Sequence, residues 1–227
     1  MERIFDNKYF KFIPSTVINF ENISKNKKKI ENDDFQKFEA TTEISGELIV
    51  CNDVSKINLK SINYTQETYD EYLNLLKKRE CKKDIWIYNI INGISEQENI
   101  LYKDELCIVI PTFTWNLKEI DKLHILCLPL NTNLRSIRTL ESSDIPLLEH
   151  MKNISLKIIK EKYGLNETSI KKYFHYPPST YHLHIHFVNN LVKFGSSIEY
   201  SHELNNVIFN LSICSDYYKK APLNKKL

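Results

Sequence analysis

The clearest hydrophobic pattern lies in the middle of the chain, where two short apolar runs each end at a proline. The run Cys107–Ile110 is apolar at every position and is followed by Pro111. A second apolar run covers residues 123–128 and is followed by Pro129. Continuous apolar runs of this length, ended by a residue that cannot donate to a β-ladder, predict two buried strands.

Three other segments predict strands from composition. Residues 86–91 are aromatic or β-branched at most positions and precede the turn-forming pair Asn92-Gly93. Nearer the N-terminus, Leu48–Cys51 is a short apolar run that ends at Asn52-Asp53, and residues 57–62 suggest a less regular strand.

Three segments show the 3.6-residue spacing of amphipathic helices. The first is predicted from a cap at Thr65 to about Lys78, the longest from residues 142–144 to Gly164, and the last over residues 200–211. The positions expected to face inward are Tyr69, Tyr72, Leu73 and Leu76, then Leu147, Met151, Ile154 and Ile158, and finally Leu204, Val207, Ile208 and Leu211.

Strands are also predicted near Tyr173 and Tyr181, on either side of a Pro-Pro-Ser turn. The order from residue 107 onward is therefore strand, strand, long helix, strand, strand, helix. This order indicates an α+β fold, with a long helix packed on a mostly antiparallel sheet. The most favourable boundary lies within residues 63–66, which predicts a small domain over residues 1–65 and a larger one over residues 66–227.

Composition narrows the function classes. The 227 residues carry a net charge of +2, so no strong field for polyanions is implied. Only four glycines are present, which excludes glycine-rich phosphate loops. No apolar run is long enough for a membrane span and no secretion signal is recognisable, while five scattered cysteines suit reduced thiols in a cytosolic or nuclear compartment.

Three histidines, His182, His184 and His186, alternate with apolar residues. On a strand, alternate side chains share one face, so the three imidazoles are expected about 6 to 7 Å apart on one surface. Such a row permits a structural interpretation, a metal site, or phosphate chemistry with imidazole as nucleophile. A zinc site needs three or four ligands, and no CxxC or HExxH motif supplies them, so neither a metal nor another cofactor is predicted.

The run HLHIHFV at residues 182–188 resembles the signature of the histidine triad hydrolases. The longer run FHYPPSTYHLHIHF, residues 174–187, is similar to the scavenger mRNA decapping enzyme branch of that superfamily. The resemblance covers residues 66–212. It implies a histidine-triad-like catalytic domain over residues 66–227, preceded by a shortened N-terminal domain that forms a dimer and covers the cap.

The resemblance also implies roles for individual residues. His184 is the expected nucleophile, and His182, His186 and His175 are expected to surround the phosphates. Ser179 and Thr180 belong to the phosphate-contacting turn, and Thr180 replaces an aromatic hydroxyl that is common in the family.

A base pocket for 7-methylguanine requires an aromatic face and a carboxylate at the base edge. Trp86 matches the stacking tryptophan of the family, and Glu96 matches its base-reading glutamate. Pro111, Phe113 and Thr114 belong to a cap-lining loop. The sequence departs from the family there, because Thr112 stands in place of an acidic residue and Thr114 in place of a lysine.

Taken together, the resemblance implies hydrolysis of 7-methylguanosine cap dinucleotides or short capped RNA to 7-methyl-GMP and a nucleoside diphosphate, through a covalent nucleotidyl-histidine, after 3′-to-5′ mRNA decay. A general dinucleoside polyphosphate hydrolase, a cap-binding protein with weakened catalysis and a zinc-binding module are the alternatives. The implied partners are the capped nucleotide and a second copy of the chain in a homodimer, with no membrane partner and a cytoplasmic and nuclear location.

Overall fold

The computed structural model describes the backbone of five strands within the first 51 residues and then residues 64–79, 84–112, 115–192 and 196–226. The chain divides into two compact units, residues 1–62 and residues 63–227. The predicted boundary at residues 65 and 66 lies close to this division.

The first unit holds an antiparallel five-stranded sheet in the order β1-β2-β5-β4-β3. Its strands are β1 (Glu2–Phe5), β2 (Lys8–Pro14), β3 (Ser24–Glu31), β4 (Phe35–Thr41) and β5 (Gly46–Cys51). The strand predicted at Leu48–Cys51 is confirmed as part of β5. The strand predicted over residues 57–62 lies outside the described residues, as does Asn52-Asp53.

The second unit is built on a six-stranded antiparallel sheet in the order β12-β10-β11-β9-β8-β7. A two-stranded sheet pairs β6 with β13. The strands are β6 (Tyr64–Glu67), β7 (Tyr102–Lys103), β8 (Cys107–Pro111), β9 (His124–Pro129), β10 (Ile170–His175), β11 (Ile185–Asn189), β12 (Ser201–Glu203) and β13 (Leu223–Lys226). The helices are α1 (Tyr69–Lys78), α2 (Ile85–Ile91), α3 (Ile145–Tyr163), α4 (Leu204–Ile213) and α5 (Tyr217–Lys220).

Helix α3 packs on one face of the six-stranded sheet. Its proline lies in the first turn, where no backbone N–H is needed, and the helix ends at Gly164 with φ +72°. Leu148, Met151 and Ile159 are buried against Ile125 of β9 and its neighbours. The long helix, the two proline-ended strands and the α+β architecture are thus confirmed. None of the described helices has the length and apolar content that a bilayer crossing requires.

The strand prediction for residues 86–91 is wrong, because this segment forms helix α2. Ile87 and Ile90 lie three residues apart on one helical face and are completely buried. They pack with Ile108, Ile110 and Leu126 on the sheet. Burial of this face outweighs the β-propensity of its aromatic and branched residues, which is weak and depends on context.

Three predicted boundaries also move. Helix α1 is capped by Thr68, whose hydroxyl accepts from the Glu71 N–H, because residues 64–67 pair as β6. Helix α4 begins at Leu204, because residues 201–203 form the edge strand β12. The triad strand β11 begins only at Ile185, and not at Tyr181.

Candidate active site

The triad segment bends away from the sheet before β11 begins. Strand β9, the neighbour of β11, ends at Pro129, whose nitrogen carries no hydrogen for a ladder. The Leu183 N–H instead donates a hydrogen bond to the carbonyl of Leu134 at 2.8 Å. Nε2 of the His182 imidazole donates to the carbonyl of Pro129, also at 2.8 Å. His186 alone lies on the strand, so the prediction of three histidines along one strand face is wrong.

His184 is held in a defined tautomer. Its Nδ1 lies 2.7 Å from the carbonyl oxygen of His182, which can only accept a hydrogen bond. The proton of the neutral ring is therefore on Nδ1, and Nε2 carries the free electron pair. Burial lowers the pKa of His184 to about 4, so the ring is neutral at physiological pH. This is the protonation state that nucleophilic attack requires.

His186 lies at the centre of an imidazole cluster. Its ring stacks on Tyr173 at 5.2 Å and lies 4.3 Å from the His175 ring and 4.9 Å from the His184 ring. Burial holds the pKa of His186 well below its usual range. Among the described residues, its buried Nε2 has no hydrogen-bond partner.

His124 belongs to this cluster, and our sequence analysis did not identify it. Its Nε2 lies 2.9 Å from Nδ1 of His186, and burial lowers its pKa to about 4. His186 pairs with Leu126 across the β9–β11 ladder, and His124 lies two residues before Leu126 on β9. The two histidines therefore share a sheet face, but only the register between β9 and β11 reveals it.

His182 is completely buried and contributes differently. Its Nε2 donates to the Pro129 carbonyl, so the electron pair of the neutral ring is on Nδ1. Within the part of the chain that the structure describes, this Nδ1 has no partner. Burial lowers the pKa of His182, and the nearby Arg135 lowers it further.

Trp86 lies beside the triad segment, as a base-stacking residue should. Its indole remains 39% exposed, and its Nε1 donates to the hydroxyl of Thr180 at 3.3 Å. Ser179 is exposed, and its carbonyl accepts from Arg79 Nη2 at 2.9 Å. The structure thus brings Trp86, Ser179 and Thr180 together at the turn before the triad.

Asp84 was also missed by the sequence analysis. Its carboxylate is completely buried and lies 3.2 Å from Arg79 Nη2 and 3.3 Å from Arg135 Nη2. It also accepts the backbone N–H of Tyr181 at 3.1 Å. Arg135 in turn lines a small cavity with His175, His182 and His184. Because burial lowers the pKa of His182 and His184, their imidazoles are neutral at physiological pH, and Arg79 and Arg135 supply positive charge near this cavity.

The remaining candidates are spread along the chain. Glu96 begins a short 3-10 turn with φ +56° and is half-buried, and within the described residues no hydrogen bond joins its carboxylate to Trp86 or the triad. Pro111 ends β8 and pairs with Ile125. Phe113 and Thr114 lie outside the described residues. Trp115 is buried and donates to the Glu119 carbonyl, so it is part of the core.

A separate group with metal-binding residue types lies at the β7–β8 turn. Ligand atoms of Asp104, Cys107 and His150 lie within 4.8 Å of one another. However, one Asp104 oxygen accepts the N–H groups of Leu106 and Cys107, and the other lies 3.0 Å from the Tyr102 hydroxyl and 2.7 Å from His150 Nε2. These contacts already satisfy the carboxylate, so the group is explained as a turn that anchors α3.

Comparison with known proteins agrees with this geometry. The family described as "Scavenger mRNA decapping enzyme C-term binding" matches residues 85–199, which include Trp86, Glu96 and all three triad histidines. This range covers α2 to the approach of β12, and therefore the whole imidazole cluster.

Several relatives carry the name m7GpppX diphosphatase. The protein of Ascaris suum is 34% identical over 167 residues, which are 71% of this chain and 56% of that protein. The protein of Caenorhabditis elegans is 36% identical over 143 residues, or 61% of this chain and 46% of its own length. The human protein is 28% identical over 172 residues, or 72% and 51%. This chain thus spans about half the length of these relatives, and it belongs to the scavenger mRNA decapping enzyme family.

Proposed function

We propose that this protein hydrolyses the triphosphate bridge of 7-methylguanosine cap dinucleotides and short capped RNA, releasing 7-methyl-GMP and a nucleoside diphosphate. The observation that carries the proposal is the hydrogen bond from His184 Nδ1 to the His182 carbonyl, which leaves Nε2 neutral and able to attack. Relatives named m7GpppX diphosphatase support the choice of substrate.

The proposed reaction has two steps. The electron pair of His184 Nε2 attacks the phosphorus next to 7-methylguanosine, the bond from that phosphorus to the bridging oxygen breaks, and its electron pair leaves with the nucleoside diphosphate. Water then attacks the same phosphorus, the P–N bond returns its pair to the imidazole, and 7-methyl-GMP is released with a proton. Arg135 and the imidazoles of His175 and His186 are proposed to face the phosphate charge that develops.

Base recognition is assigned to Trp86 of α2 and to Glu96, which follows this helix. The partly exposed indole of Trp86 offers a face for the cationic 7-methylguanine ring, and Glu96 is proposed to accept from its N1–H and N2–H groups. Pro111, Phe113 and Thr114 are proposed to line the pocket.

A homodimer and a cytoplasmic and nuclear location are part of the same proposal. Size-exclusion chromatography with light scattering tests the dimer.

The deciding experiment incubates the full chain with a methylated cap dinucleotide and, separately, with diadenosine tetraphosphate, and separates the products by chromatography. We expect 7-methyl-GMP and a nucleoside diphosphate from the first substrate and much slower turnover of the second. Equal turnover of both would favour a general dinucleoside polyphosphate hydrolase. Binding of the cap without products would favour a cap-binding protein.

A further inference from the structure

Three consecutive residues before the triad, Ser179, Thr180 and Tyr181, each form a hydrogen bond with a side chain at the end of α1 or the start of α2. Arg79 donates to the Ser179 carbonyl at 2.9 Å, Trp86 donates to the Thr180 hydroxyl at 3.3 Å, and Asp84 accepts the Tyr181 N–H at 3.1 Å. The contacts arise from residues about a hundred positions earlier in the chain. The turn that precedes the nucleophile is thus tied to the helix that carries the candidate base-stacking residue.

Asp84 makes the central contact of the three. It occupies the position before α2, where an aspartate side chain ordinarily accepts an N–H of the first helical turn. Here the carboxylate makes no such bond, and its two oxygens are directed to Arg79, Arg135 and Tyr181. A completely buried carboxylate is tolerated only when it is paired, and both of its cationic partners border the triad segment.

The path from Asp84 to the nucleophile is short. Tyr181, whose N–H it holds, is followed directly by His182, whose carbonyl fixes the tautomer of His184. A displacement of Tyr181 therefore moves the oxygen that orients the attacking imidazole. Misplacement of a reacting group by about 1 Å costs on the order of 100-fold in rate.

We propose that Asp84 is a positioning residue that holds the Tyr181–His182 backbone, and through it the His184 imidazole, in a fixed relation to the Trp86 helix. This inference rests on the proposed function for its kinetic consequence, but its structural content stands by itself. It assigns to Asp84 a role in turnover beyond the neutralisation of two arginines.

Two variants separate the roles of Asp84. Asp84→Asn keeps an oxygen that can accept the Tyr181 N–H but cannot neutralise Arg79 and Arg135, whereas Asp84→Ala removes both contacts. With a methylated cap dinucleotide, we expect kcat to fall about 10-fold in the first variant and about 100-fold in the second, with KM changed less than about threefold. Glu67→Gln is the matched control, since Glu67 is another buried carboxylate beside an arginine, and among the described residues its carboxylate makes no hydrogen bond to residues 179–181.

The Glu67→Gln control shows whether a loss of kcat follows only from lower stability. If Glu67→Gln lowers the thermal midpoint as much as Asp84→Asn does, yet leaves kcat unchanged, the kcat losses in the Asp84 variants do not follow from lower stability. The additional loss in Asp84→Ala then comes from positioning. Unchanged kcat in Asp84→Asn and Asp84→Ala would overturn the inference, as would equal kcat losses in both. Should Asp84→Ala not fold, Asp84→Leu, whose side chain likewise cannot accept the Tyr181 N–H, takes its place in the comparison with Asp84→Asn and Glu67→Gln.

Hydrogen exchange of backbone amides supplies a readout that does not depend on turnover. We expect Asp84→Ala to accelerate exchange of the Tyr181 amide relative to the wild type, while Asp84→Asn largely retains protection and the β8–β9 amides stay unchanged in both. Unaltered exchange at Tyr181 would overturn the inference. If the wild-type chain does not hydrolyse the cap dinucleotide, the proposed function fails, and the exchange experiment still tests the position of Asp84.

Discussion

Arg135 lies just before the 3-10 turn Ile137–Thr139 and Arg138 lies within it, yet the two arginines belong to regions with different roles. Arg138 is completely buried, and its nitrogens reach the carbonyls of Tyr218, Ala221 and Glu67 and the hydroxyl of Tyr176. Arg135 keeps 25% of its side chain exposed, and it pairs with Asp84 and the Tyr88 hydroxyl beside the triad cavity.

The difference lies in what remains available to a ligand. The guanidinium of Arg138 has its donors satisfied by groups of the chain and joins β6, α5 and the residue that follows β10, which is a structural role. Arg135 borders the neutral imidazoles of His182 and His184 and adds positive charge beside them, as the proposed binding of phosphates requires. Arg135 and Arg138, three residues apart, therefore differ in the exposure of their side chains and in their hydrogen-bond partners.

The largest expected effect is a loss of turnover without a loss of stability. His184→Asn removes the proposed nucleophile, and we expect turnover of the cap dinucleotide to fall at least about 1000-fold, while the midpoint of thermal unfolding changes little. Steady-state kinetics and calorimetry on the same preparation measure both. His186→Asn is the matched change, with a smaller loss, because His186 supplies only part of the charge stabilisation. Activity of His184→Asn within tenfold of the wild type would remove His184 from the proposed role.

The next effect falls on the structural region. Arg138→Met leaves Glu67 buried without its cation and several carbonyls without donors, and we expect a loss of about 3 to 5 kcal/mol in the free energy of unfolding. Urea unfolding measures this loss. For the molecules that remain folded, kcat should stay near that of the wild type. A selective collapse of kcat with unchanged stability would reverse our assignment of the two arginines.

The next prediction concerns ligand binding by Trp86. Trp86→Ala is expected to weaken binding of 7-methylguanosine nucleotides about tenfold more than that of unmethylated ones, since stacking of a cation on an indole contributes about 1 to 2 kcal/mol in a dry site. Titration calorimetry measures both affinities. Trp86→Phe, which keeps an aromatic face but loses the bond to Thr180, should retain part of the methyl preference. Equal weakening of methylated and unmethylated ligands would place the base pocket elsewhere.

The smallest effect is acid sensitivity. Burial lowers the pKa of His124 and His184 from 6.5 to about 4 and also lowers the pKa of His182 and His186. Between pH 6.5 and about pH 4 the unfolded chain binds more protons than the folded chain. The free energy of unfolding therefore decreases as the pH falls from 6.5 towards 4. Differential scanning fluorimetry across this range should show a falling midpoint.

Two variants connect this acid sensitivity to the imidazole cluster. His124→Phe removes one buried imidazole and should reduce the decline, whereas Arg138→Met keeps the cluster and should retain the slope of the wild type from a lower starting midpoint. A midpoint independent of pH over the range would mean that the imidazoles are not buried as neutral groups.

The sequence by itself determined the fold class and identified the triad histidines as candidate site residues. Proline marks the ends of β8 and β9 because it cannot donate to a ladder, and Gly164 ends α3 because it adopts a positive φ at little cost. These are local rules, so they can be recognised without the fold. The motif at residues 174–187 identified the family for a similar reason, since all of its members are adjacent in the chain.

The tertiary structure decided the parts that depend on distant partners. Residues 86–91 became a helix because the sheet offered an apolar surface to Ile87 and Ile90. The carbonyl that orients His184 could not be predicted, because every residue has a carbonyl and only the bend before β11 selects that of His182. His124 and Asp84 reach the triad region across 62 and 97 residues of sequence. Pairings over such distances leave no periodic signal in the chain, and strand register and burial alone establish them.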